Sequence, residues 1–431
     1  MTKQEIILAN KEFLFPAVFH YFKDPLVVER AKDQFVWDID GNEYLDFFGG
    51  ILTISVGHCN EQVNIKVHEQ LDKVQHVSTV FATEPQAALA QKLASITPGN
   101  LRKSFFTSSG TEANETAIMV ARCFTGSSEI VALRHSYHGR SALAMAITGN
   151  ASWKVGPQVQ PGIVYAHNAY CYRCPFGQTY PECGIRCAHD LEELIKTTTS
   201  GRIAGMIAEP IQGVGGFITP PKEYFKIVAE IVRQHGGIFI SDEVQTAWGR
   251  TGHRWFGIEQ WDVTPDMITS AKGLANGFPI GVTITRPEIA DSLKGLSIAT
   301  FGGNPVATTA AKAVIDLIEQ ENLAANAAET GAYLRQGLER LQEKHVLIGE
   351  VRGMGLMQAL ELVQDRRSKV PATQETSQIM ESARANRILI GRGGLYSNVL
   401  RISPPLNIRK TDVDEFIRRL DSAFVAMETA A

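Results

Sequence analysis

Lys272 stands in Ile268-Thr269-Ser270-Ala271-Lys272-Gly273-Leu274-Ala275-Asn276-Gly277, after a short apolar run and among small residues. Such surroundings desolvate an ammonium, lower its pKa and leave a neutral amine that can attack an aldehyde, so Lys272 is a Schiff-base candidate. Taken alone, a lysine is more often solvated, its stem lying along the surface. About thirty residues upstream, the run Gly237-Ile238-Phe239-Ile240-Ser241-Asp242-Glu243-Val244-Gln245 reads as a buried strand ending in two carboxylates. An acid at the C-terminal end of such a strand sits where open α/β sheets bind ligands. A carboxylate facing the nitrogen of a pyridine-type cofactor keeps the ring protonated, and the cationic ring accepts the electron pair left when a bond at the substrate Cα breaks. Asp242 and Lys272 together describe the two ends of a bound pyridoxal phosphate (PLP).

The elements that would position such a pair recur along the chain. Ser104-Phe105-Phe106-Thr107-Ser108-Ser109-Gly110-Thr111-Glu112 reads as a short strand, a small-residue turn and a helix start. N–H groups and the dipole at a helix N-terminus hold a dianionic phosphate, although Ser and Thr there are also ordinary caps. Ile130-Val131-Ala132-Leu133 reads as a parallel strand, followed by His135-Ser136-Tyr137-His138-Gly139; an aromatic there could stack on a pyridine, and a histidine beside it is more often packed than a base. Ile203 to Gly213 is another apolar strand ending at Glu209-Pro210. Val399-Leu400-Arg401-Ile402 places one guanidinium between apolar residues, where it could clamp a substrate carboxylate or pair with an acid such as Glu209. A hairpin is expected around Asp40-Gly41-Asn42, and a helix over Glu84 to Ile96, closed by Pro98-Gly99.

Ser241-Asp242-Glu243-Val244-Gln245-Thr246, Gly249-Arg250-Thr251-Gly252 and Ala271-Lys272-Gly273, at this spacing, resemble the signature of class III (ω-type) PLP-dependent aminotransferases. The resemblance runs from about Tyr44 to Leu406, and Val56-Gly57-His58-Cys59, Val351-Arg352-Gly353-Met354-Gly355 and Gly391-Arg392-Gly393 bring it closest to the alanine-glyoxylate branch. It implies an α/β fold of PLP fold type I, with a large, mostly parallel-sheet domain and a smaller α+β C-terminal domain. It implies Lys272 and Asp242 as catalytic residues, a cofactor held by Ser109, Gly110, Thr111, Tyr137, His138, Gln245 and a partner subunit's Thr300, and substrate held by Arg401 with Glu209 as its gate. The activity implied is ping-pong transfer of an amino group from alanine or an ω-amino acid to pyruvate or glyoxylate. A decarboxylase, aminomutase or phospho-lyase on the same fold is the alternative, and a non-catalytic PLP-binding scaffold a more distant one. Shared active sites imply a homodimer or a dimer of dimers.

Composition sets the remaining bounds. At 431 residues, with 44% hydrophobic and 20% charged, the chain reads as an ordinary globular protein too long for one core. The expected division is 1–50 (an arm and part of a small domain), 51–310 (the large domain, with a Cys-rich insertion at 167–190) and 311–431. A net charge of −4 without a dense basic run argues against nucleic acid as a partner, and no apolar run suggests a membrane span. A cytoplasmic location is expected from the charged N-terminus, which lacks a signal-peptide pattern. Cys171, Cys174, Cys183 and Cys187 could hold a structural zinc, yet free thiols are the expected state, and no metal is expected in the chemistry.

Overall fold

The computed structural model describes residues 1–156 and 160–430. Seven strands make the central sheet: β1 (Lys103–Thr107), β2 (Ile130–Leu133), β3 (Ile163–Ala166), β4 (Gly205–Ala208), β5 (Ile238–Asp242), β6 (Met267–Ser270) and β7 (Gly281–Thr285). Their spatial order is β1-β7-β6-β5-β4-β2-β3. From β6 to β3 every pairing is parallel, whereas β7 runs antiparallel to both neighbours. Every residue of β2, β4, β5, β6 and β7 is buried, because helices cover both faces, and this is why β2 and β4 read as unbroken apolar runs. Since β1 points the same way as the parallel set, the chain leaves β1, β2, β4, β5 and β6 at one common edge. That edge carries the Ser109 turn, Tyr137, Glu209, Asp242 and Lys272.

Helix α1 (Gly110–Thr125) starts at the β1 exit, capped by Ser109, and ends at Gly126, whose φ of +68° suits glycine. Its buried face is small, with Ala113, Ala117 and Ala121, so the helix lies close on the sheet. The helix Glu84–Ile96 forms as expected and stops ahead of Pro98-Gly99. The expected hairpin joins Phe35–Asp38 to Glu43–Asp46, and the Asp38 carboxylate ties the turn by accepting from Asn42 N–H at 2.8 Å and Tyr44 OH at 3.0 Å. Ile388–Leu389 adds to that sheet in parallel, so the two ends of the chain share it. A second four-stranded sheet, Ile348–Met354, Met357–Leu362, Val399–Ile402 and Gly391–Gly393, is antiparallel throughout and carries Arg401.

The Cys-rich segment docks on this second sheet. Glu361 accepts from Arg352 Nη1 at 2.6 Å and from Tyr170 and Arg173 of the insertion, and Arg352 also pairs with Glu350. The four thiols are free and line one small space beside Phe176 and Ile185. Burial, then the neighbouring thiols, push Cys171 up to about 11 and Cys187 up to about 12. Among the described residues, no group of three or more His, Cys, Asp or Glu is arranged to hold a metal ion, and no helix is long and apolar enough to cross a membrane.

Candidate active site

Lys272 follows β6 after one residue, Ala271, and opens a short turn, Lys272–Leu274, with φ of +43°, a left-handed conformation that costs a non-glycine residue energy. Next to it Gly273 is required by contact, since a Cβ there would meet Ser55 Oγ at 2.5 Å. The side chain keeps some exposed surface but is largely surrounded by protein. Burial pushes its amine down to about 8; Asp242 and Glu209 oppose that shift and Arg401 reinforces it. A useful fraction of neutral amine therefore exists near neutral pH.

Asp242 ends β5, one parallel strand away. Its Oδ2 receives His138 Nδ1 at 2.7 Å and Asn114 Nδ2 at 2.8 Å, while Oδ1 receives only the Val244 N–H at 3.1 Å. Glu243, the second acid of the motif, turns the other way. It is saturated by Gly257 and Ile258 N–H groups, each at 2.8 Å, and by the hydroxyls of Ser241 and Thr246, so it pins a loop and leaves Asp242 alone on the site side.

At the β1 exit, Ser109 Oγ accepts from Glu112 N–H, and the Ala113 N–H is taken by the Ser109 carbonyl. The first two N–H groups of α1, those of Gly110 and Thr111, remain for an anion. A Cβ on Gly110 would lie 2.9 Å from Val244 Cγ2, so glycine lets α1 close onto the β5 exit loop. Tyr137 leaves β2 half-buried, its N–H held by Glu209 at 2.9 Å and its ring edge-on to Trp153 at 5.2 Å. Aromatic contacts continue from Trp153 to Phe19 (6.2 Å), Phe19 to Tyr21 (5.6 Å) and Tyr21 to Phe48 (5.8 Å), carrying the N-terminal segment across the site.

Arg401 is 3% exposed, with its guanidinium between the rings of Phe48 and Phe217, at 5.4 and 5.0 Å. Its Nη2 donates to Gln245 Oε1 at 3.0 Å and its Nε has no hydrogen-bond partner among the described residues. The pairing of Arg401 with Glu209 considered from sequence does not form. Glu209 is instead bound by the backbone, accepting from Tyr137 and Gly213 N–H at 2.9 and 2.8 Å, and these short local bonds keep it from reaching the guanidinium. Burial lifts Glu209 to about 7. Thr300 lies exposed on a loop, and no hydrogen bond joins it to this site. Sequence reasoning missed Asn114, Thr269, Trp153, Tyr21 and Phe217 as part of the site. Asn114 alone left a signal, an amide on a face of α1 that is otherwise apolar but for Thr116.

Residues 20–424 match the aminotransferase class-III family. The chain belongs to that family. This class III aminotransferase is 44% identical over 98% of its length, and 87% of the relative's, to alanine-glyoxylate aminotransferase 2 homolog 2, mitochondrial, of Arabidopsis thaliana. It is 39% identical over 99% of its length, and 97% of the other chain, to a leucine/methionine racemase of Thermococcus litoralis. Among solved structures it superposes with a TM-score of 0.90 at 32% identity on an amine transaminase from an uncultivated Pseudomonas species in its PLP-bound form, covering 96% and 98% of the two chains. Pyridoxal phosphate is the cofactor of this enzyme. The residues present fit it: a depressed amine for the aldehyde, an acid with spare acceptor capacity for the ring nitrogen, and two unbound N–H groups at a helix start for the phosphate.

Proposed function

We propose that this enzyme moves an amino group from alanine, or from an ω-amino acid or amine, to pyruvate or glyoxylate. The observation that supports this reading is Arg401, a buried guanidinium held between two rings that forms no ion pair with a carboxylate among the described residues. A buried cation without an acid is costly, and a substrate carboxylate accepted bidentately relieves that cost. When bound, the cofactor supplies a cationic ring that stores the electron pair from the substrate Cα. The chain does the rest. Lys272 Nζ, with its lowered affinity for a proton, would be the group that takes up and returns the substrate's proton. Asp242 Oδ1 would hold the ring N–H, Gln245 the ring oxygen and Tyr137 the ring's face, while Gly110, Thr111 and Ser109 would seat the phosphate. Glu209, fixed by backbone N–H groups, stands aside from Arg401, so the clamp is open to a carboxylate.

Thr300 would complete the phosphate site of a partner copy; its loop carries Leu296, Ile298 and Phe301, all more than 60% exposed, as a surface that a second subunit would cover. The cytoplasmic location stands as a proposal beside a relative named mitochondrial, and cell fractionation tests it. The activity test is a single turnover. Holoenzyme mixed with L-alanine and no acceptor should release one equivalent of pyruvate. Conversion to D-alanine without pyruvate would instead make the chain a racemase, as its Thermococcus relative is named.

A further inference from the structure

Asp242 is held by side chains outside the set of lysine, acid and arginine. Asn114 Nδ2 donates both to Asp242 Oδ2 and to the His138 carbonyl, each at 2.8 Å, and Asn114 Oδ1 accepts the Thr269 hydroxyl at 2.6 Å. A primary amide can turn over and put its oxygen where its nitrogen was. Here it cannot do so cheaply, because the His138 carbonyl only accepts and would face an oxygen. Asn114, Thr269, His138 and Asp242 are all 3% exposed or less, so water does not substitute for any of these bonds. With two donors crowding Oδ2, the Oδ1 edge is the one left to accept from a ligand. Asn114 also sits in the first turns of α1, whose N-terminal Gly110 and Thr111 would hold the phosphate. One helix therefore touches both ends of the cofactor site, and Thr269 ties that helix to β6, two residues from the Ala271-Lys272 step.

We propose that Asn114, oriented by Thr269, is a positioning residue that acts through Asp242: it holds Oδ2 so that the Oδ1 edge is the one turned toward the cofactor ring nitrogen. This rests on the PLP reading. The group on the ring nitrogen sets how tightly the linkage at Lys272 keeps its proton. A poorly placed Asp242 makes the ring less cationic, the linkage then holds its proton harder, and the pH midpoint of the cofactor's visible absorption rises.

The test uses substrate-free holoenzyme, following that titration and the PLP dissociation constant in wild type, Asn114→Ala, Thr269→Val and Thr269→Ser, with folding checked by circular dichroism. Asn114→Ala and Thr269→Val should raise the midpoint by about one pH unit and weaken PLP about tenfold, whereas Thr269→Ser, which retains the hydroxyl, should titrate as wild type. If Asn114→Ala does not fold, the nearly isosteric Thr269→Val carries the test. Unchanged midpoints and dissociation constants in the folded variants would overturn the proposal, as would a Thr269→Ser shift equal to that of Thr269→Val. A wild-type chain that gains no visible band with PLP would instead sink the cofactor reading itself.

Discussion

Lys272 is a liability to the empty chain and an asset once loaded. In the unfolded chain its amine has the ordinary value of 10.5, and in the fold about 8, so below pH 8 the folded state bears the whole cost of a buried ammonium. That cost corresponds to about 3 kcal/mol, and it is relieved as pH rises from the folded toward the unfolded value, because only the unfolded chain then still holds the proton. Lys272→Met should therefore make the cofactor-free protein more resistant to urea at pH 7, with the gain shrinking toward pH 10. The same amine sets the rate of cofactor uptake. Mixing apoprotein with PLP should give a rate that climbs nearly tenfold per unit up to about pH 8 and then levels, and a flat profile from pH 6 to 8 would contradict this. Arg401 separates substrates by their carboxylate. Arg401→Ala should raise KM for alanine about a hundredfold while changing it little for an amine without a carboxyl group, measured in parallel against pyruvate.

At the scale of elements, local physics and function make different demands on Gly110. Alanine at this helix position would gain up to about 1 kcal/mol of propensity. Its Cβ, however, would press Val244, which lies between Asp242 and Gln245. Gly110→Ala should leave the thermal stability of the apoprotein nearly unchanged and raise the PLP dissociation constant about tenfold. Elements of this kind were legible in the sequence: the strand ends at Asp242 and Lys272, the Ser109 cap and the Glu84–Ile96 helix are each marked within a dozen residues by an apolar run and a polar or glycine stop. What could not be read is whatever depends on strand order. Asn114 meets Asp242 across 128 positions and Arg401 meets Gln245 across 156, and no periodicity encodes such meetings. The backbone capture of Glu209 was hidden for a related reason. It depends on the return of Gly213 and on Tyr137, which belongs to another strand exit.

Across the whole molecule, Glu361 joins three parts: the Cys-rich insertion through Arg173 and Tyr170, its own sheet through Arg352, and the loop after Glu209, because Arg352 Nε donates to the Gly216 carbonyl at 2.8 Å. Phe217, the next residue, lies under the Arg401 guanidinium. Burial works against the Glu361 carboxylate, but Arg352, Tyr170 and Arg173 hold it below the ordinary 4.5. A depressed acid stabilises the fold above its unfolded value, and that stability is lost as pH falls through the folded one. Glu361→Gln should cost about 3 kcal/mol by denaturant titration at pH 7, with the deficit narrowing in acid, and should raise KM for alanine through the loop. The chain of rings from Tyr137 through Trp153 and Phe19 to Phe48 has a practical use as well. It places the partly exposed Trp153 indole between Phe19 and Tyr137, so in a variant whose other four tryptophans are replaced by phenylalanine the intensity and colour of the emission would register whether the N-terminal segment is seated or has lifted away.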